Sequence, residues 1–206
     1  MSKRAYHHGN LKQELIERGL EFIDQNGVES LSMRKLAILS GVSSAAPYAH
    51  FENKEAFLSE VQNYITEQFT DILQKTYESC HDRQRVLLEL GKSYVLFFSQ
   101  NPLYYSFIFS HGDIDINNYP PFQMFKNIAG NVMNEIYGGK IGEHDIYNKT
   151  LAMWAMVHGL AQLYTLPAFR MMDSQKVEQK NLQNASSAEI QRIYERIENI
   201  LSSVEI

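Results

Sequence analysis

The sequence predicts an all-α protein with a helical N-terminal domain over residues 1–57 and a helical bundle over residues 58–206, about nine helices in total. Capping residues, glycines and prolines recur between stretches whose apolar residues repeat with the helical period. Strand signals are nearly absent, since no Asn-Gly or Asp-Gly turn lies between two alternating runs. The chain has 206 residues, 44% of them hydrophobic, which is enough for a sizeable core.

Three helices are expected at the N-terminus. They cover residues 10–26, 32–40 and 43–50. A helix-turn-helix needs a short first helix, a tight turn that usually contains glycine, and a second helix whose first residues reach base edges. The last two of these helices meet the requirements, with Gly41 in the turn and Leu36, Ala37 and Val42 facing inward. Many helical hairpins share this pattern, so the spacing alone leaves an ordinary hairpin open.

The remaining helices are expected downstream of Phe51. Asn53 can cap a helix that continues to about Glu78, and Pro102 can open a short one, because a first turn does not need its missing N–H. That short helix covers residues 103–110. The others cover residues 82–100, 122–137 and 145–168, with loops at 111–121 and 171–185. Ser186 and Glu189 form a capping box for the final helix.

Composition and charge exclude several classes of protein. The net charge of -5 argues against a protein that coats nucleic acid indiscriminately, although a small DNA-binding module is compatible with it. The single cysteine, Cys80, excludes an internal disulfide and a cysteine-rich metal finger, and it fits a reducing compartment. The first residues lack the apolar run of a signal peptide, and no stretch of 18 apolar residues follows. We therefore expect a soluble, cytoplasmic protein without a membrane partner.

Lys54 lies in the first turn of the helix that Asn53 caps. A cation there opposes the helix dipole, at a cost of roughly 0.3 to 1 kcal/mol. The conflict disappears if this helix start binds a phosphate, because free backbone N–H groups and a lysine both favour an anion. The alternative is a solvated lysine that tolerates the small penalty.

Several motifs together are similar to those of a known family. In the N-terminal part they are Gly41-Val42-Ser43, Tyr48, His50-Phe51 and Lys54-Glu55-Ala56-Phe57-Leu58. They resemble the DNA-binding domain of the TetR family, over about a quarter of the chain. The opening Tyr6-His7-His8-Gly9-Asn10-Leu11-Lys12, with the later Trp154 and His158-Gly159, resembles the subgroup named for a Trp-His-Gly motif.

The resemblance implies a set of DNA-contacting residues. Tyr48 and His50 look like phosphate contacts of the recognition helix, and Lys54 like the phosphate contact at the start of the next helix. Arg34, Ser43 and Ser44 would lie close to the groove, while Phe51 would be a core residue that pins the turn. Lys3, Arg4 and Lys12 give the first twelve residues a charge of +3 without an acid, which suits an arm along the DNA or a disordered tail.

The expected recognition helix departs from the commoner family pattern. It carries Ala45, Ala46 and Pro47 before Tyr48, and Ala49 where a larger side chain often stands. Few of its side chains can make bidentate contacts to bases. We therefore expect methyl contacts, the serines and DNA shape to carry much of the specificity.

Aromatic residues and methionines crowd the C-terminal half. Such a bundle can enclose a pocket for an apolar or aromatic ligand, or it can be ordinary core packing. Trp154 and His158 are four residues apart and share a helix face, and the resemblance implies that they border an effector pocket. The candidate ligand-binding residues are Phe97, Tyr104, Phe107, Phe125, Met153, Trp154 and His158.

A stripe of isoleucines marks the final helix. Ile190, Ile193, Ile197 and Ile200 follow one another at spacings of 3, 4 and 3 residues. Such a stripe needs a partner helix, either in a second copy of the chain or in the same chain, and the pattern leaves both open. These four residues are the candidate dimer interface.

The resemblance implies a transcriptional regulator, a repressor that a small apolar or aromatic effector releases from a palindromic operator in double-stranded DNA. Its partners would be the operator, the effector and a second copy of the chain. Two alternatives stay open: a ligand sensor or carrier of the same fold without specific DNA binding, and an all-α enzyme. Catalysis lacks support, because the chain has no Gly-rich phosphate loop, His-Glu-x-x-His or Gly-x-Ser-x-Gly motif, and we expect neither cofactor nor metal.

Overall fold

The computed structural model describes residues 11–82, 85–110, 119–137, 142–166, 169 and 187–203. Within these residues the regular structure is entirely helical, as the sequence predicts. The α-helices are α1 (Leu11–Asn26), α2 (Met33–Leu39), α3 (Lys54–Ser79), α4 (Val86–Gln100), α5 (Pro102–Ser110), α6 (Pro120–Tyr137), α7 (Glu143–Thr165) and α8 (Ser187–Ser202). Single 3₁₀ turns lie at Val28–Ser30 and Pro47–Ala49. None of the helices in this part of the chain is long and apolar enough to cross a lipid bilayer.

Capping residues predict several of the helix starts. Ser32 Oγ accepts a hydrogen bond of 3.2 Å from Lys35 N at the start of α2. Asn53 Oδ1 accepts one of 2.8 Å from Ala56 N at the start of α3. Pro102 is the first residue of α5. Other helix ends differ from the prediction by a few residues, as when α4 begins at 86 rather than 82.

The segment expected to form a third helix, residues 43–50, is not an α-helix. It consists of a turn followed by the 3₁₀ turn at Pro47–Ala49, and its backbone bonds join residues three apart. Pro47 contributes to this, because it has no N–H to donate to Ser43 O and so removes one α-helical hydrogen bond from a very short segment. The prediction of a regular helix is wrong here.

The chain divides into two compact units, Met1–Ile65 and Thr66–Ile206. In the first unit, α1 and the start of α3 approach closely at Gly19. A methyl group at this position would overlap the ring of Phe57, so only a hydrogen fits. Phe57 is fully buried and packs edge-on against Phe51, with 5.2 Å between the ring centroids.

In the second unit, α4 is central, with α7 and α8 packed against it. An added Cβ at Gly91 would lie 3.1 Å from both Val157 Cγ1 and Leu201 Cδ1, so this glycine lets the three helices meet. Tyr94 and Phe98 continue the buried face of α4 one and two turns further on. This face carries most of the aromatic core.

A charge cluster, made of Arg85, Glu89, Lys92, Tyr194 and Glu198, joins α8 to α4. Lys92 is 1% exposed, and its Nζ lies 2.7 Å from Glu198 Oε2 and 3.0 Å from Glu89 Oε1. Arg85 bonds to both carboxylates, and the Tyr194 hydroxyl donates to Glu89. Burial opposes ionisation, but the hydrogen bonds outweigh it, so that the pKa of Lys92 is raised and that of Glu89 is lowered.

Candidate nucleic-acid interface and effector site

The turn after α2 depends on Gly41, whose φ of 66° lies in the left-handed region that favours glycine. Val42 N then donates back to the last turn of α2 and closes the helix end. Ser43 and Ser44 follow directly, and both are exposed. The turn therefore places two hydroxyl groups at the surface.

The recognition segment, residues 43–50, ends in three exposed residues that lie between two buried ones. Pro47 and the following Phe51 are buried, whereas Tyr48 is 56% exposed and His50 is also exposed. Buried side chains therefore anchor both ends of the run, and two aromatic side chains with polar tips project between them. Groups of this kind bind the phosphates and sugars of nucleic acids.

Lys54 is the first residue of α3 and is half-buried, while Arg34 is exposed near the start of α2. Between Ser30 and Glu52 the chain contains two basic residues and no acid. No carboxylate of this stretch therefore opposes a phosphate near the recognition segment, although the whole chain is acidic.

Two further basic residues were expected in an N-terminal arm, and Lys3 and Arg4 lie outside the described residues. Lys12 lies in α1, where its Nζ pairs with Glu60 Oε2 at 2.6 Å. Sequence reasoning did not select Ile38, whose side chain is 64% exposed on α2. The helical period alone could have indicated its exposure, since it directs Ile38 away from the buried Leu36.

The predicted ligand-binding residues lie in the C-terminal unit. Phe97, Phe107, Met153 and Trp154 are buried, Tyr104 and His158 are half-buried, and Phe125 belongs to α6 but its side chain lies outside the described part. Ring contacts join Phe97, Tyr104, Trp154 and His158 to one aromatic cluster. The Trp154 ring, for example, lies 5.2 Å from that of Tyr94 and 5.0 Å from that of Phe122.

His158 is the polar centre of this cluster. Its Nδ1 lies 2.9 Å from Tyr94 Oη, and its Nε2 lies 2.9 Å from Tyr105 Oη. The Phe109 ring meets the imidazole edge-on at 4.6 Å, and the Trp154 ring is stacked at 6.1 Å. Burial lowers the pKa of His158 and raises that of Tyr105 to about 12, so all these groups are neutral at pH 7.

Sequence reasoning missed Tyr94 and Tyr105 as functional candidates. They precede His158 by 64 and 53 residues, and no local motif links the three. Within the described residues, no group of three or more His, Cys, Asp and Glu side chains could hold a metal ion.

The isoleucine stripe packs partly within its own chain. Ile197 is fully buried, whereas Ile190, Ile193 and Ile200 are half-buried on α8. A second apolar face lies on α7, where Tyr147, Leu151 and Leu163 are exposed, and the exposed Leu166 follows directly at its C-cap. An added Cβ at Gly159, between them on α7, would meet no other atom within 4 Å. Sequence reasoning did not select this α7 face.

The N-terminal unit is similar to known proteins. Residues 15–61 match the family described as bacterial regulatory proteins, tetR family. A curated relative, an uncharacterized HTH-type transcriptional regulator of Haemophilus influenzae, is 22% identical over 125 residues. That alignment covers 61% of this chain and 63% of the relative, so the chain spans less than two thirds of the relative's length.

Solved structures share the fold at low identity. A protein with unknown function from Rhodococcus sp. RHA1 has a TM-score of 0.67 and 22% identity, covering 98% of this chain and 99% of that one. A TetR/AcrR-family regulator from Thermobifida fusca has a TM-score of 0.64 and 14% identity, covering 92% of this chain and 95% of that one. FadR from Bacillus subtilis, in complex with stearoyl-CoA, has a TM-score of 0.64 and 15% identity, covering 94% of this chain and 99% of that one. These similarities show that the chain shares the fold of these proteins.

Proposed function

We propose that this chain is a DNA-binding repressor that occupies a palindromic operator as a homodimer and leaves it when an apolar effector binds to the C-terminal unit. The observation that carries the proposal is the recognition segment, which holds Tyr48 and His50 exposed between the buried Pro47 and Phe51. It lies within the stretch that matches the regulator family.

Phosphate contacts supply most of the affinity in this proposal. Tyr48 and His50 bind the DNA backbone, and the first turn of α3 binds a phosphate through Lys54 and its backbone N–H groups. An arm with Lys3 and Arg4 adds charge along the backbone or minor groove, and Arg34 lies beside the groove. Ser43 and Ser44 are the first candidates for base contacts.

A second copy of the chain covers the apolar face of α7. Leu151, Leu163 and Leu166 are exposed there, and Gly159 leaves room for a helix backbone to approach closely. The half-buried isoleucines of α8 extend this surface in our proposal, while Ile197 serves the core. A two-fold dimer would present two recognition segments to half-sites one helical turn apart, near 34 Å.

The effector site is the aromatic cluster around His158. Stearoyl-CoA binds to the structural neighbour FadR, and the present chain offers an apolar, aromatic interior in its C-terminal unit. Release requires that the effector bind better to a conformation that no longer fits the operator. Helix α3 contains residues of both compact units and is the proposed lever. Trp154 with His158-Gly159 also favours the Trp-His-Gly subgroup.

One observation favours a second candidate, a ligand sensor of the same fold without specific DNA binding. The recognition segment is a short 3₁₀ turn with alanines and a proline, so it offers few groups for base contacts. Its exposed Tyr48 and His50, and the lack of acids between Ser30 and Glu52, weigh against this candidate.

A binding-site selection tests the proposal. The purified protein is incubated with a library of palindromic sites and with DNA from upstream of its own gene. We expect saturable, sequence-selective binding with two protomers per site, and a loss of at least tenfold in Tyr48→Ala. Lys75→Ala, which removes an exposed lysine of α3 outside the recognition segment and the α7 face, is the control. Equal weak binding to all sequences, unchanged by Tyr48→Ala, would select the sensor.

A further inference from the structure

On α8, the charge cluster and the isoleucine stripe lie on different sides of the helix. Glu198 Oε2 lies 2.7 Å from Lys92 Nζ of α4. Ile193 and Ile200 are half-buried, and Ile197 is fully buried. Successive residues of an α-helix are about 100° apart, so Glu198 and Ile200 lie roughly 160° apart around the helix axis. The charge cluster and two of the isoleucines therefore occupy opposite edges of the buried face.

The contacts of α8 with α4 are not centred on the isoleucines. Leu201 Cδ1 packs at Gly91, where an added Cβ would lie 3.1 Å from it. The Tyr194 ring covers Lys92, with 3.8 Å between Nζ and the ring centroid. Residues 194, 198 and 201 therefore face α4, and around the helix axis their centre lies roughly 90° from that of the four isoleucines. Apolar burial against α4 alone would favour the isoleucine side instead.

The buried ammonium group of Lys92 opposes such a turn of the helix. Lys92 is almost fully buried, and Glu198 is the carboxylate that it bonds on α8. A turn of α8 that buried Ile200 more deeply would carry Glu198 away from Lys92. Separating a buried charge from its partner is strongly destabilising, whereas Ile193 and Ile200 are already covered in part. The cost of separating the ion pair therefore exceeds the gain from deeper burial of the isoleucines.

From this geometry we infer that the charge cluster sets the rotation of α8 about its own axis, and thereby keeps Ile193 and Ile200 at the surface that a second copy of the chain covers. Fixing the register of a helix and the choice of its partner is the best-attested role of buried polar and ionic groups. The inference rests on the proposed homodimer and assigns Lys92 and Glu198 as positioning residues for its interface.

An apolar replacement of the buried ion pair tests the inference. The double variant Lys92→Met/Glu198→Met keeps side chains of similar size and leaves Glu89 its bonds to Arg85 and Tyr194. Its helical circular dichroism should equal that of the wild type, because well-packed apolar residues can replace a buried ion pair without loss of stability. The dissociation constant of the dimer should rise at least tenfold, since α8 is free to turn its isoleucines inward. Sedimentation equilibrium over a dilution series measures it.

The matched control removes an ion pair of the N-terminal unit by the same substitutions. Lys12 Nζ and Glu60 Oε2 are 2.6 Å apart, and both side chains are exposed. Lys12→Met/Glu60→Met should leave the dissociation constant of the dimer unchanged.

A double-mutant cycle shows whether the charge cluster acts through the isoleucines. Ile200→Ala should weaken the dimer of the wild type at least fivefold. In the Lys92→Met/Glu198→Met background, the same change should weaken it less than twofold, because Ile200 has already left the interface. A general loss of packing in α8 would make the two effects additive.

The inference is overturned if Lys92→Met/Glu198→Met dimerises as tightly as the wild type, or if its effect and that of Ile200→Ala are additive. Should the double variant lose its helical signal, Glu198→Gln replaces it, since it keeps the size of the side chain and removes only its charge. We expect Glu198→Gln to dimerise at least threefold more weakly, and unchanged dimerisation in this variant also overturns the inference.

The oligomeric state and operator binding of the wild type separate this inference from the proposed function. A dimeric wild type with unaffected variants refutes the role of the charge cluster alone. A monomeric wild type refutes both this role and the proposed homodimer. Loss of dimerisation in the variants, together with a wild type that binds no operator, refutes the repressor proposal and leaves the role of the charge cluster intact.

Discussion

The two compact units use tyrosine in opposite ways. In the N-terminal unit, Tyr48 is 56% exposed and extends from a turn that buried neighbours hold in place. In the C-terminal unit, Tyr94 is fully buried and bonds to His158 inside an aromatic shell. An exposed hydroxyl suits a large, hydrated and charged partner, whereas buried hydroxyls suit a small ligand that sheds its water. In our proposal, the exposed tyrosine serves the DNA surface and the buried tyrosines line the interior that takes the effector.

The largest expected effect concerns the interior. Lys92→Ala should lower the free energy of unfolding by about 3 kcal/mol, because it leaves two partly buried carboxylates without their main cation. Urea unfolding followed by circular dichroism measures it. Lys75→Ala, which removes an exposed lysine of α3, is the control and should change stability by less than about 0.5 kcal/mol. A similar small change in Lys92→Ala would mean that the charge cluster does not hold α8 to α4.

The next effect concerns the anchoring of the surface. Gly19→Ala should lower stability by roughly 1 to 3 kcal/mol, because the added methyl group displaces the Phe57 ring, which packs against Phe51. Operator affinity should fall as well, since Phe51 anchors the recognition segment. The matched control is Gly130→Ala on α6, where an added Cβ meets nothing within 4 Å. Unchanged stability and DNA binding in Gly19→Ala would show that the packing of Phe57 against Phe51 does not hold the recognition segment in place.

The sequence predicts the helices well where local chemistry determines them. Ser32, Asn53 and Pro102 mark helix starts through groups that lie within a few residues of one another. For the recognition segment, helix punctuation predicts a helix over residues 43–50, and a proline in a first turn is compatible with one. The structure has a 3₁₀ turn at Pro47–Ala49 instead. Pro47, which lacks an N–H, is the residue of the sequence that could have indicated this.

The candidate sites were less accessible from the sequence. Trp154 and His158 were selected from their spacing and from the family resemblance, but the partners of His158 come from α4 and α5. Such contacts between distant segments depend on how the helices pack, and one sequence does not specify that. The isoleucine stripe is ambiguous for the same reason, because the burial of Ile197 depends on how α8 packs within its own chain.

A smaller effect is expected for the buried histidine, His158, in the pH dependence of the free energy of unfolding. Burial lowers the pKa of His158 below 6.5, so the unfolded chain takes up a proton first as the pH falls. The free energy of unfolding should therefore decrease from pH 6.5 down to the folded pKa, by at most about 1.4 kcal/mol per pH unit for this one group.

His158→Gln should reduce this slope, and urea unfolding at half-unit pH intervals measures the difference between the two proteins. The carboxyls of Glu89 and Glu198 have lowered pKa values and stabilise the fold above pH 4.5, so their contribution is lost only at lower pH. An identical slope in wild type and variant between pH 5 and 6.5 would show that His158 titrates normally in the folded chain.

The salt dependence of operator binding tests the account most directly. The logarithm of the association constant is plotted against the logarithm of the salt concentration for the wild type, Lys54→Ala and Lys75→Ala. If Lys54 binds a phosphate at the start of α3, its removal should weaken binding to all sequences alike and reduce the slope by about 1, with Lys75→Ala equal to the wild type. The account is contradicted if Lys54→Ala keeps the slope and affinity of the wild type.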